Sequence, residues 1–143
     1  MRSQIAIEPY SAFDAERILG PRHEYPAWVY NRDKHGPAYT ITNNGHIVCC
    51  AGLMLYGDYS GEAWLLPGPR FLRHAKSVVR ATHRWLEKWQ RDYGLVRLQA
   101  TVDADNTAAI RFVEHYGFER EGLLRGAGPG ASDLLMYARI RRG

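Results

Sequence analysis

Little in this 143-residue chain points to the commonest kinds of protein chemistry. Cysteine is scarce, with two residues, Cys49 and Cys50, side by side. Adjacent residues of a strand face opposite ways, so this pair is not expected to bridge, and both read as small core side chains. No apolar run is long enough to cross a bilayer, and the first residues, MRSQIAIEPY, lack the apolar core of a secretion signal. The expectation is a cytoplasmic chain without a membrane partner. There is no Walker A loop, no G-x-G-x-x-G, no H-E-x-x-H and no G-x-S-x-G. The six histidines are scattered and none has zinc spacing to a cysteine pair, so no metal site is expected.

What is present suits one domain spanning residues 1–143, with 45% apolar and 24% charged residues. The net charge of +4 is modest, but it is unevenly placed. Seven cations lie between Arg70 and Arg91, namely Arg70, Arg73, Lys76, Arg80, Arg84, Lys88 and Arg91, against one acid, Glu87. Such a stretch is either a solvated helix face or the seat of an anionic partner, a phosphorylated cofactor or nucleic acid. Only Trp85 interleaves an aromatic on its outer face, so stacking of single-stranded nucleic acid has little support.

The pattern reads β-α-ββ-β-α-β-α-β-β. SQIAIEPY is a strand, and AFDAERIL a helix closed by Gly20. Asn43-Asn44-Gly45 marks a hairpin between two β-rich runs. GEAWLLP is a strand stopped by Pro67. Residues 71–93 form the clearest helix, with Leu72, Ala75, Val79, Thr82, Leu86 and Trp89 at steps of three and four. VRLQATV follows as a strand. Asp105 or Asn106 caps a helix running to about His115, with Gly117 at its end. FEREGLLR and SDLLMYARIR are the last strands. The strands flanking the long helix are expected to be parallel, joined by a right-handed crossover. That puts LLPGPRFLRHA at a strand's carboxyl end and a helix's amino end, where free N–H groups and the positive end of the dipole meet.

DNTAAIRFVEHYGF, residues 105–118, resembles the fourth-helix motif of the GCN5-related N-acetyltransferase family. The matching positions are Asn106, Ala109, Ile110, Phe112 with Val113, and Gly117 with Phe118. The family's acetyl-coenzyme A signature is a strand, a proline, then Gln or Arg, two residues, Gly, one residue, and Gly or Ala. Pro67, Arg70 and Ala75 keep that frame, while Arg73 replaces its middle glycine and Phe71 another frequent one. The resemblance implies an α/β fold, a central mixed sheet of six to seven strands flanked by three to four helices. It also implies acetyl transfer from acetyl-coenzyme A to an amine acceptor, with a homodimer possible.

By the same resemblance, the cofactor contacts are Leu65, Leu66, Arg70, Phe71, Leu72, Arg73, His74, Ala75, Asn106 and Phe112. The pantetheine arm is expected between splayed strands GEAWLLP and VRLQATV, with a backbone N–H near Leu65 facing the thioester oxygen. Glu62 is the candidate base. The family's usual acidic tyrosine falls at Val113, which leaves Tyr116, three residues on and about 60° around the helix, as the candidate acid. The segment PRHEYPAW falls where the family builds its acceptor pocket, so Glu24, Tyr25 and Trp28 are candidate acceptor contacts, with His23 and Glu24 as weaker bases. The departures at Phe71, Arg73 and Val113 also suit a non-catalytic member that binds an acyl-coenzyme A or serves as a protein-interaction or structural module.

Overall fold

The computed structural model describes residues 4–141; the side chains of Leu72 and Ala75 lie outside the described set. Seven strands form one mixed sheet, β1 (Ile5–Pro9), β2 (Ala38–Asn43), β3 (His46–Leu55), β4 (Ser60–Pro67), β5 (Arg97–Asp103), β6 (Glu119–Leu124) and β7 (Leu134–Ile140). Their spatial order is β1-β2-β3-β4-β5-β7-β6. Three α-helices accompany them, α1 (Ala12–Leu19), α2 (Ala75–Asp92) and α3 (Thr107–His115). Element order is as the sequence pattern implies, and the mixed sheet is as the resemblance implies. The chain groups into two compact units, Met1–Leu55 with Ala63–Thr82, and Tyr56–Glu62 with His83–Gly143.

In the first unit, Ser11 caps α1 by accepting from the Phe13 amide, and Gly20 ends it at φ 80°, its N–H donating to Glu16 O. Asn44 and Gly45, at φ 52° and 79°, make the tight turn between β2 and β3. The β2–β3 register then slips: Ile41 faces Cys49 and Thr42 faces Ile47, so Val48 is a bulge. The bulge lets neighbours Val48 and Cys49 join one buried cluster with Val78, against which Ile41 and Phe71 pack. Cys50 points the other way, into a cluster with Tyr10, Ala15, Val29 and Ala38. Both thiols are free and buried.

The Val48 bulge also fixes the end of β4. The Gly68 amide donates to Val48 O at 2.8 Å, and a Cβ on Gly68 would lie 2.9 Å from that oxygen and 3.1 Å from Ile47 O. Glycine between Pro67 and Pro69 is therefore required by close backbone approach rather than by flexibility. The continuous helix expected over residues 71–93 is corrected here: Phe71–His74 form a 3-10 turn, and α2 begins at Ala75. The two prolines withhold donors, and the Phe71 and Arg73 amides bond to Gly68 O and Arg70 O at 3.1 Å. The buried stripe of α2 runs through Val78 rather than Val79, and then through Leu86 and Trp89 as expected, with Gln90 beside them.

In the second unit, residues Ser60–Glu62 pair in parallel with Arg97–Gln99, β5 pairs antiparallel with β7, and β7 with β6. Asn106, not Asp105, caps α3, its side chain accepting from Ala109 N at 3.0 Å, and Gly117 takes the left-handed turn at φ 83°. The fully buried Tyr137 donates to Glu114 Oε2 at 2.9 Å and accepts from Arg120, which ties α3, β6 and β7 together.

Candidate active site

Glu62 lies three residues into β4 and is half-buried. Its parallel partner is Gln99. Because paired residues point to the same side of a sheet, the two side chains meet, and Gln99 Nε2 donates to Glu62 Oε1 at 3.0 Å. The other end of the Gln99 amide is also fixed: its Oε1 accepts from Arg97 Nε at 3.1 Å. An amide whose oxygen faces a guanidinium must turn its NH2 to the carboxylate, so the orientation is determined by chemistry. Arg97 reaches across β7 to clasp Glu121 through both Nη atoms, at 3.0 and 2.7 Å. Glu121 is the bulged residue of β6, between Arg120 opposite Tyr137 and Gly122 opposite Met136. The two-point bond holds the Glu121 carboxyl below its ordinary range and the Arg97 guanidinium above its own. The result is a row of four polar side chains, Glu62, Gln99, Arg97 and Glu121. The sequence reading names Glu62 and not the other three; the alternation of Arg97, Gln99 and Thr101 along β5 is the signal for two of them, and Glu121 carries none.

Tyr116 follows α3 and is 4% exposed. Its ring packs edge-on against His83 at 4.6 Å, Phe112 at 4.9 Å and His115 at 5.0 Å. Phe112 is thus half-buried beside it, and Asn106 stays exposed at the cap.

At the other expected site, Leu65 is exposed and Leu66 packs partly against the Tyr10 cluster. Arg70 and Arg73 are exposed at the entrance to α2. Phe71 turns inward onto the Val48–Cys49–Val78 cluster. The His74 ring accepts from Asn43 Nδ2 through Nδ1 at 3.1 Å, and Asn43 Oδ1 in turn takes the Gln4 amide at 2.9 Å. The expectation of freely available amide hydrogens is corrected in part, since those of Phe71 and Arg73 are satisfied within the turn.

Of the candidate acceptor contacts, Glu24 is exposed, and Tyr25 donates to Gly20 O at 2.9 Å. Trp28 stacks on Arg32, whose guanidinium lies 5.1 Å from the Trp28 ring and 5.1 Å from that of Trp64. Tyr25 and Trp28 both pack against the Tyr10 cluster.

The model of the acetyltransferase (GNAT) family matches residues 4–118. The chain belongs to that family. No curated protein matches the sequence. Among solved structures, it is similar to the ribosomal-protein-S18-alanine N-acetyltransferase of Escherichia coli, at 21% identity and TM-score 0.75, covering 98% of this chain and 97% of that one. Ard1 of Thermoplasma volcanium is similar at 21% identity and TM-score 0.75, over 97% and 99% of the two chains. A spermidine N-acetyltransferase variant from Vibrio cholerae has 16% identity and TM-score 0.75, over 96% and 94%. At these identities the likeness is one of fold, and the GNAT architecture implied by residues 105–118 is the architecture present. No helix among the described residues is long and apolar enough to cross a membrane.

Proposed function

We propose that the whole chain works as one N-acetyltransferase domain that moves an acetyl group from acetyl-coenzyme A to an amine. The observation that carries this reading is the Glu62 carboxylate held by the Gln99 amide across parallel strands. Attack by the amine nitrogen on the thioester carbon forms the C–N bond and breaks the C–S bond. The nitrogen must lose a proton, which Glu62 accepts directly or through water. The Leu65 amide is assigned to the oxyanion, and the Tyr116 hydroxyl to the proton that neutralises the leaving thiolate.

Acetyl-coenzyme A supplies the activated acetyl group, and the residues fit it through charge. Arg70 and Arg73 stand at the positive end of an 18-residue helix, where two cations are unfavourable by about 0.3–1 kcal/mol each without an anion. Guanidinium–phosphate bonds take over here from glycine-lined amides. Leu66, Leu72, His74, Ala75, Asn106 and Phe112 are assigned to the remaining cofactor contacts, and Glu24, Tyr25 and Trp28 to the acceptor.

A second reading, a member that binds acyl-coenzyme A without turnover, is favoured by the locally satisfied Phe71 and Arg73 amides and by valine at position 113. Thiol release from acetyl-coenzyme A over a panel of peptide, lysine and polyamine amines separates the two. Turnover with any amine supports the transferase. Thermal stabilisation by the cofactor with no thiol release selects the binder, and absence of both defeats each.

A further inference from the structure

A second polar site lies in the second unit, apart from the residues assigned to acetyl transfer. A groove of about 230 Å³ is lined by Glu87, Gln90 and Arg91 of α2 and by Arg139, Ile140 and Arg141 at the end of β7. Its walls are fixed by hydrogen bonds. Gln90, 2% exposed, donates to Leu95 O at 3.4 Å and Arg139 O at 3.3 Å, and the Arg141 amide donates to Val96 O at 2.8 Å.

The charges in this groove are not balanced. Arg139 Nη2 stands 3.8 Å from Glu87 Oε1, too long for a hydrogen bond, and Arg139 Nη1 is buried with no partner among the described residues. Arg91 has Asp92 at 3.7 Å, but Lys88 already holds that carboxylate closely. Setting Glu87 against Arg139 and Lys88 against Asp92 leaves Arg91 and Arg141 as two positive charges in excess. Three guanidinium groups line the groove with one carboxylate among them, and an oxyanion offering several acceptors suits that excess of donors. The volume is also far larger than one water requires.

We propose that this groove binds a phosphate dianion, either free phosphate or the phosphate of a small monoester. Two excess charges match the ligand's two, and the planar guanidinium forks suit its oxygens. Glu87 then acts as a brake on affinity, because its carboxylate competes for Arg139.

The test is a side-chain NMR titration of the full chain, following the Arg139 Nε–Hε and Gln90 Nε2 signals. The probes are inorganic phosphate and glycerol 3-phosphate, with chloride holding ionic strength constant. The expected result is saturable movement of both signals in the millimolar range with at least one probe. Saturation by phosphate alone assigns the free anion, and saturation by both assigns the monoester. Arg141→Gln, an exposed position that leaves the fold intact, weakens binding about tenfold. Glu87→Gln tightens it several-fold, a gain that a merely structural Glu87 does not give. Linear movement that chloride reproduces overturns the proposal, as does affinity unchanged in both variants.

Discussion

Gln99 presents its amide N–H to Glu62 at 3.0 Å only because Arg97 holds the amide's oxygen from the other side at 3.1 Å. The proposed base is therefore aimed by Gln99, and Gln99 in turn by Arg97. Glu62→Gln is expected to lower kcat/KM by about 10²–10⁴-fold near neutral pH. The deficit should shrink as pH rises and the acceptor amine loses its proton to solvent. Gln99→Met should lower kcat about tenfold with the melting temperature unchanged. A pH-rate profile for each variant against the parent checks both, and an Glu62→Gln deficit that is flat with pH contradicts the assignment.

Arg70 and Arg73 are placed against the helix dipole, so their removal should separate stability from binding. Double replacement by alanine is expected to leave the melting temperature equal or slightly higher, because an unfavourable charge–dipole interaction is lost. The KM for acetyl-coenzyme A should rise at least tenfold and lose much of its salt dependence. Steady-state kinetics at two salt concentrations, paired with thermal melts, make the comparison.

For Tyr116, replacement by phenylalanine keeps the ring packed against His83, Phe112 and His115. Loss of the hydroxyl alone is expected to reduce kcat about a hundredfold at constant KM, the lower range for general acid catalysis because a thiolate is a tolerable leaving group. Unchanged kcat would make Tyr116 a packing residue only.

Gly68→Ala is expected to destabilise the fold by about 1–3 kcal/mol, since the added carbon has backbone oxygens rather than flexible side chains as neighbours. Denaturant unfolding measures the loss. A neutral result would show that the β3 bulge yields easily.

Burial raises the Cys49 thiol from 9.0 to about 12, Cys50 from 9.0 to about 11, and the Tyr10 hydroxyl from 10.0 to about 12. Cys50 adds to the shift of Tyr10 and of Cys49. Each group is neutral in the fold and ionises more easily when unfolded. Their contribution to stability is thus complete below pH 9 and is lost as pH rises towards 12. Urea midpoints between pH 8 and 12 should fall steadily, and Tyr10→Phe should flatten the fall. Thiol reagents should label either cysteine only after unfolding.

The elements were legible in the sequence wherever a local rule decides the backbone. Asn44-Gly45 specified the hairpin, Gly20 and Gly117 ended their helices, and the order of strands implied the parallel crossover around α2. The polar row around the candidate base was only partly legible. Glu62 was visible as a carboxylate at a strand start, but the register that sets Gln99 beside it is a long-range fact that strand composition does not encode. Glu121 was hidden because a bulge re-aims it. Arg32 was hidden because its position between Trp28 and Trp64 depends on a loop meeting a strand. The 3-10 turn at Phe71–His74 was missed because periodicity reports a helix without distinguishing its first turn.

Strand β4 divides between the two compact units after Glu62, and α2 divides after Thr82. Neither unit is therefore a contiguous length of polypeptide. During amino-first synthesis, Ser60–Glu62 are made well before Arg97–Gln99, the residues they pair with. Those three residues wait without their β5 partners while the intervening helix is translated, and the proposed base acquires its orientation late in biogenesis.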